Sequence, residues 1–156
     1  MKRVWIYQAD RFFTEPEEAQ ALEILQAFVQ DWTAHGNKLA GQVSIEYGLF
    51  VILQVDEAVA NVTGCSIDKS VHLLKKIENE LNINLFNRLL IAYKDGFNEL
   101  QLVSNTVFQD LIDEGEVTEK TIVFNNMVTT YDEFEDSWEV PFERSWHSKV
   151  FTAKKS

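Results

Sequence analysis

The segment "GQVSIEYGLFVILQV" (41–55) decides the fold class, because two different strand patterns meet there at a turn. Residues 41–47 alternate between polar and apolar side chains, which is typical of a strand with one buried face. Residues 49–55 are apolar on both sides, as expected of a central strand that is covered on both faces. Tyr47 and Gly48 lie between the two runs and predict a β-hairpin turn.

The segments on either side of this hairpin predict further strands and helices, and together they give a known order of elements along the chain. Residues 3–8 read as a strand, and "TEPE" (14–17) is a capping-box pattern that opens a helix. After the hairpin, residues 66–82 carry apolar side chains at helical spacing, and residues 88–93 read as another strand. The order β-α-β-β-α-β is that of ferredoxin-like folds, so the sequence predicts an α+β class.

We predict a single α+β domain over residues 1–156, with a split-βαβ core at about 1–96 and an extension at 97–156. The extension holds an added helix, a fifth strand and an aromatic C-terminal tail. Ferredoxin-like sheets pack helices on one face, yet two of these strands are apolar on both. We therefore expect the extension to cover the second face. A second subunit is the alternative cover, which would make the protein a homo-oligomer, and a five-stranded mixed sheet between helices is the alternative architecture.

Composition predicts a cytoplasmic protein. Apolar residues make up 46% of the chain, which argues against disorder. The single cysteine excludes an internal disulfide and fits a reducing compartment. The apolar run near residue 5 is too short for a signal peptide, and no segment approaches the roughly 18 apolar residues of a membrane span.

The formal net charge of −11 is concentrated in one region, since residues 110–139 hold ten acidic residues against Lys120 alone. Phosphate backbones would repel such a chain, so we predict no nucleic-acid partner. The acidic stretch is either a solvated surface or a docking face for a basic protein partner or a divalent cation.

The chain's only cysteine suggests one candidate catalytic site. If Ser66 caps the following helix, Cys65 lies just outside the helix N-terminus, where the macrodipole favours a thiolate. Asp68 opposes that effect, and His72 is about 10 Å farther along the same helix at ~1.5 Å per residue. A base would have to come from elsewhere in the fold, as His35 or His147 could. The alternative is a buried or half-buried structural cysteine beside a tight glycine turn.

Asp68 and His72 are also four residues apart, which places them on one helix face. They are either an ordinary surface pair or two ligands of a metal. The sequence has no H-E-x-x-H and no paired-cysteine spacing, so we predict no metal site and no cofactor.

The tail "WEVPFERSWH" (138–147) is the second candidate site, this time for a small ligand. Trp138, Arg144 and Trp146, together with His35, combine apolar walls with polar groups that can orient a ligand. The alternatives are that the tryptophans pack on the sheet and that His35 closes the first helix. The motif "SWH" suggests a Ser/His pair, but the chain has no G-x-S-x-G nucleophile elbow.

The chain as a whole resembles a family of small, uncharacterised Bacteroidota proteins of about this length. The segments that carry the resemblance are "VWIYQADR" (4–11), "WTAHG" (32–36), "GCSIDKSVH" (64–72), "LIAYKDG" (90–96) and "NNMVTTYDEFEDSWEVPFERSWH" (125–147). Members of that family often carry the label "ABC transporter ATPase", which implies a nucleotide-binding subunit.

The residues argue against that activity. A P-loop needs G-x-x-x-x-G-K-[ST], because backbone amides cradle the phosphates while the lysine and the hydroxyl handle charge and Mg²⁺. Gly36 and Gly41 have the right spacing, but Gln42 and Val43 follow them. We therefore predict no ATPase activity. The sequence favours a binding module for a protein or a small ligand, with a small enzyme built on Cys65, Asp68, His72 and His147, metal-dependent or not, as the alternative.

Overall fold

A computed structural model describes residues 1–152 of the chain and confirms the α+β class. Its nine strands are all paired antiparallel. They are β1 (Lys2–Gln8), β2 (Thr33–Ala34), β3 (Asn37–Lys38), β4 (Ala40–Glu46), β5 (Phe50–Asp56), β6 (Leu90–Lys94), β7 (Leu100–Ser104), β8 (Ile122–Phe124) and β9 (Glu139–Pro141). The helices are α1 (Glu15–Asp31), α2 (Gly64–Leu81), α3 (Asn105–Asp113), α4 (Tyr131–Ser137), α5 (His147–Val150) and a 3₁₀ turn at Phe142–Arg144.

The chain divides into two compact units. Among the described residues, the first unit comprises Met1–Asn87 and Val128–Phe134, and the second comprises Arg88–Met127 and residues 135–152. The predicted boundary near residue 96 falls inside the second unit. A single domain over the whole chain stays a prediction.

The central sheet of the first unit has the order β1-β5-β4. The hairpin prediction is confirmed, because β4 and β5 pair in register from Ala40↔Asp56 to Glu46↔Phe50. Tyr47 and Gly48 both adopt positive φ in the loop between them. Side chains of both faces of β5 are buried, as its apolar sequence predicts for a central strand.

The first helix begins as predicted and ends earlier. Thr14 and Glu17 form the full capping box, and Trp32 is the C-cap after Asp31. The prediction that His35 closes this helix is wrong. His35 and Gly36 have φ of 52° and 79° and form the two-residue turn between β2 and β3, because a tight hairpin of this kind needs positive φ at both positions.

The second helix begins two residues before the predicted start, at Gly64. Its N-cap is Thr63 and not Ser66. The Thr63 hydroxyl accepts from the Ser66 amide at 3.1 Å, and the Ser66 hydroxyl accepts from the Thr63 amide at 2.8 Å. Serine therefore takes the N3 place that glutamate usually holds in a capping box, which is why the pattern was missed.

Arg11 ties the start of α1 to the end of α2. Its guanidinium donates to both carboxylate oxygens of Glu17, each at 2.8 Å, and to the carbonyl of Leu81 at 2.7 Å. Hydrogen bonds from Arg11, and then from the Thr14 amide, lower the pKa of Glu17 from 4.5 to about 2.

This lowered pKa predicts acid sensitivity. A depressed carboxyl pKa stabilises the fold above the unfolded value of 4.5, and that stabilisation is lost as pH falls toward about 2. We expect the Glu17→Gln variant to lose less stability than the parent over that range in urea unfolding experiments. Glu23→Gln, an exposed change on the same helix, should behave like the parent. Parallel pH profiles for the parent and Glu17→Gln would contradict the assignment.

The second unit contains a sheet of order β7-β6-β8-β9, and it overturns part of the predicted topology. The strand predicted at 88–93 is present as β6, but it lies in this sheet and not beside β1. The ferredoxin-like four-stranded sheet is therefore not formed, and neither is a five-stranded mixed sheet. Instead, Val4 donates to the carbonyl of Thr129 at 2.9 Å, and Arg3 bridges to Thr130.

A local hairpin explains why β6 pairs elsewhere. The Asp95 carboxylate accepts from the amides of Phe97 at 2.8 Å and Glu99 at 3.0 Å, and this fixes a tight turn. The turn leads directly into β7, which the sequence reading missed. β6 therefore pairs with β7 across a short turn, and the entropy cost of closing that loop is low.

The tail forms part of the core of the second unit. Phe108 is fully buried at its centre and lies against Phe142 and Phe151 of the tail. The other buried members of this cluster are Ile91, Tyr93, Ile112, Val117, Val123 and Val140. That the tail also covers the sheet of residues 1–96 stays a prediction.

Candidate functional site

Cys65, Asp68 and His72 all lie exposed on α2. Cys65 is the second residue of the helix, so the expectation of a buried or half-buried cysteine is wrong. Gly64 is also helical and makes no tight turn. The helical spacing leaves Cys65 and His72 about 10 Å apart along the axis.

The two histidines predicted as bases lie on other elements than α2. His35 is exposed in the β2–β3 turn of the same unit, and His147 belongs to the second unit. Within residues 1–152, no three side chains of the metal-binding types cluster together. A catalytic role for Cys65, Asp68, His72 and His147 stays a prediction.

Exposure of Cys65 has a direct consequence for stability. We expect Cys65→Ser to change the free energy of unfolding by less than about 0.5 kcal/mol, because exposed substitutions away from special features rarely cost more. Iodoacetamide should label the folded protein without prior unfolding. Protection from labelling in the native state would show that the thiol is covered.

The residues predicted to bind a ligand through the tail divide into buried and exposed ones. Trp138 is 5% exposed, packs edge-to-face on Phe124 and donates from Nε1 to Asn126 Oδ1 at 2.9 Å. It therefore has a structural place in the second unit. Arg144 is exposed, and Trp146 is partly exposed with its ring stacked on His147 at 3.8 Å between centroids.

Ser145 and His147 form the closest approach to catalytic geometry in the tail. The Ser145 hydroxyl lies 2.7 Å from His147 Nδ1, and burial lowers the pKa of His147 from 6.5 to about 4. The imidazole is therefore neutral at neutral pH. However, Ser145 is only 4% exposed, and in the described chain no carboxylate orients the imidazole. The pair satisfies two buried polar groups and lacks an accessible nucleophile.

A cleft of about 400 Å³ lies beside this pair in the second unit. Its lining residues are Glu119, Phe142, Glu143, Ser148, Lys149, Phe151 and Thr152. Phe142 and Phe151 are the almost fully buried members, whereas Glu119, Glu143 and Lys149 are exposed. The cleft thus exposes mainly polar groups, among them two carboxylates and one ammonium group, together with small parts of two buried phenylalanine rings.

Backbone hydrogen bonds hold the cleft in place. The amide of Glu143 donates to the carbonyl of Glu119 at 2.9 Å, which fixes the two acidic residues next to each other. The side-chain amide of Gln109 donates to the carbonyl of Thr152 and accepts from its N–H, at 3.1 and 3.2 Å. The walls therefore come from three separate stretches of chain that α3 and β8 bring together.

No motif or spacing in the sequence predicts that these residues line one cleft. Glu119 lies well before the tail in the sequence, and the pairing of β8 with β9 brings the two together. Of the predicted tail residues, none lines the cleft. The unusual aromatic composition was the one indication that the tail contributes to a site.

Comparisons of the chain with protein-family models, with curated proteins and with solved structures give no match. The resemblance to the Bacteroidota family, and the nucleotide-binding role that its label implies, therefore stay predictions. In the part of the chain that the structure describes, no helix has the length and apolar character needed to cross a bilayer.

Proposed function

We propose that the protein is a small-ligand binding module, and that its ligand carries an amine and an apolar group. The observation that supports this is the cleft of the second unit, which the exposed Glu119 and Glu143 line together with the buried Phe142 and Phe151. The charged residues that line the cleft are Glu119, Glu143 and Lys149, so the lining carries more negative than positive charge and favours a cationic ligand.

The size of the cleft suits a small molecule, since ligand sites are usually of about 300–1,000 Å³. The two carboxylates are exposed, and ion pairs between exposed groups contribute only about 0.2–1 kcal/mol. Most of the binding energy must then come from the apolar part of the ligand, with the charges setting its preference.

A set of three matched probes tests the charge preference. 2-Phenylethylamine, 2-phenylethanol and phenylacetate share a phenyl ring and differ in charge. We expect 2-phenylethylamine to bind with a dissociation constant of about 0.1–10 mM, measured by ligand-observed NMR. The neutral probe should bind several-fold more weakly and the anion more weakly still.

Charge-neutralising variants locate the effect. Glu119→Gln and Glu143→Gln should each weaken binding of the amine about two- to fivefold, and leave binding of the neutral probe unchanged. Glu114→Gln is the matched control, because it removes the same charge from the same acidic stretch outside the cleft. Equal effects of Glu114→Gln and Glu143→Gln would mean that only the net charge matters, which contradicts the proposal.

The remaining proposals concern partners, location and fold. A homo-oligomer, a basic protein partner, a cytoplasmic location and the absence of a nucleic-acid partner are kept as proposals from composition and charge. The enzyme alternative is kept as a proposal, in which Cys65, exposed on α2, receives a base from another element. We also regard the first unit as a variant of the ferredoxin-like pattern, since β1, α1, β4, β5 and α2 follow its order.

A further inference from the structure

A second pocket lies in the first unit, at one end of the sheet. It has a volume of about 200 Å³ and is lined by Lys2, Ala40, Gly41, Gln42, Gln54 and Asp56. The lining residues lie on β1, β4 and β5, and none of them lines the cleft of the second unit.

Strand register places its polar side chains on one face. Lys2 and Ala40 both pair with Asp56, one from each neighbouring strand. In the next row on that face, Gln42 pairs with Gln54. Because side chains of alternate residues share a face, these rows lie side by side. The small Ala40 leaves room between them.

The glutamine pair has unused hydrogen-bonding capacity. Gln54 lies on the central strand β5 and is half-buried, where apolar residues otherwise dominate. Within the described residues, neither Gln42 nor Gln54 makes a side-chain hydrogen bond. Within the described residues no buried side-chain nitrogen or oxygen lacks a partner, so both amides are open to solvent and can hydrogen-bond to water or to a ligand in the pocket.

The two charged groups are held in place without neutralising each other. Asp56 Oδ1 accepts from the Ala58 amide at 3.0 Å, which orients the carboxylate and leaves its second oxygen available. The Lys2 ammonium lies 5.1 Å from the centre of the Tyr131 ring, a cation–π contact. Lys2 and Asp56, both in the described chain, form no ion pair with each other.

We propose that this pocket binds a small free amino acid with an amide side chain. The ligand's carboxylate contacts Lys2, its ammonium contacts Asp56, and its side-chain amide pairs with Gln42 and Gln54. The pocket is smaller than the usual range for drug-sized ligands, which fits a molecule of this size. The proposal does not depend on the cleft of the second unit.

The side-chain NH₂ resonances of Gln42 and Gln54 test this inference directly, because NMR observes them individually. L-Glutamine is the probe, glycine keeps the two charges without the amide, and propionamide keeps the amide without the charges. We expect L-glutamine to shift both NH₂ resonances in a saturable way. Glycine and propionamide should each bind at least about tenfold more weakly, since each lacks one set of contacts.

Variants complete the test. Asp56→Asn should weaken L-glutamine binding about tenfold, while Asp31→Asn, the same charge change at an exposed position of α1, should not. Gln42→Ala lies on an exposed part of the edge strand β4, so it tests the amide contact even if changes on β5 disturb folding. Unmoved NH₂ resonances at about 10 mM L-glutamine, or shifts confined to the second unit, would overturn the proposal.

Discussion

Replacing Phe108 by alanine is expected to destabilise the second unit by about 3–5 kcal/mol, the usual cost of removing a buried aromatic ring. Phe108 is fully buried, and its ring centroid lies 4.9 Å from that of Phe151 and 5.8 Å from that of Tyr93. Few other atoms can move into the space, because the surrounding rings are themselves packed against one another.

Val107→Ala is the matched control for this change. Val107 precedes Phe108 on α3 but is 44% exposed, so its truncation should cost less than about 0.5 kcal/mol. Urea unfolding followed by far-UV circular dichroism and by tryptophan fluorescence measures both variants. A loss below about 1 kcal/mol for Phe108→Ala would mean that this cluster is not the core of the unit.

The second large effect is a pH dependence that His147 creates. Its pKa falls from 6.5 to about 4 on folding because the imidazole is buried. As pH falls below 6.5, His147 is protonated in the unfolded chain but stays neutral in the native state. The free energy of unfolding therefore declines until about pH 4. At ~1.4 kcal/mol per pKa unit, the full loss approaches about 3 kcal/mol, and about 2 kcal/mol of it falls between about pH 7 and about pH 5.

His147→Asn isolates this contribution, because asparagine keeps a polar atom close to the position of Nδ1 for the Ser145 hydroxyl and does not titrate. We expect its stability to change about 2 kcal/mol less than that of the parent between about pH 7 and about pH 5. His72→Asn removes an exposed histidine and should follow the parent. If His147→Asn shows the same pH dependence of the free energy of unfolding as the parent, then protonation of His147 does not destabilise the fold.

Local patterns in the sequence predicted the elements whose causes are local. The alternation in residues 41–47 and the apolar run that follows gave β4, β5 and the turn, because side-chain period and glycine conformation are properties of a few neighbouring residues. The capping box at Thr14 is equally local. The cap at Thr63 was missed because serine at N3 is a weaker signal than glutamate.

Long-range pairings could not be predicted in this way. Nothing in residues 88–93 says that their partner is the next strand and not β1, and nothing in residues 128–130 says that they return to β1. The cleft depends on the same kind of pairing, since β8 must meet β9 before Glu119 approaches the tail. The predicted site residues were chosen by chemical type. Chemical type identifies reactive groups but does not predict which of them line the same cavity.

The most direct test of the proposed binding site is a map of backbone amide shifts in a ¹H–¹⁵N correlation spectrum during titration with 2-phenylethylamine. If the cleft is the site, the amides of Glu143, Ser148, Phe151 and Thr152 should shift together and saturate with one dissociation constant. Shifts that are scattered over the acidic residues of 110–139 and rise linearly with concentration, or no shift at the cleft, would contradict it.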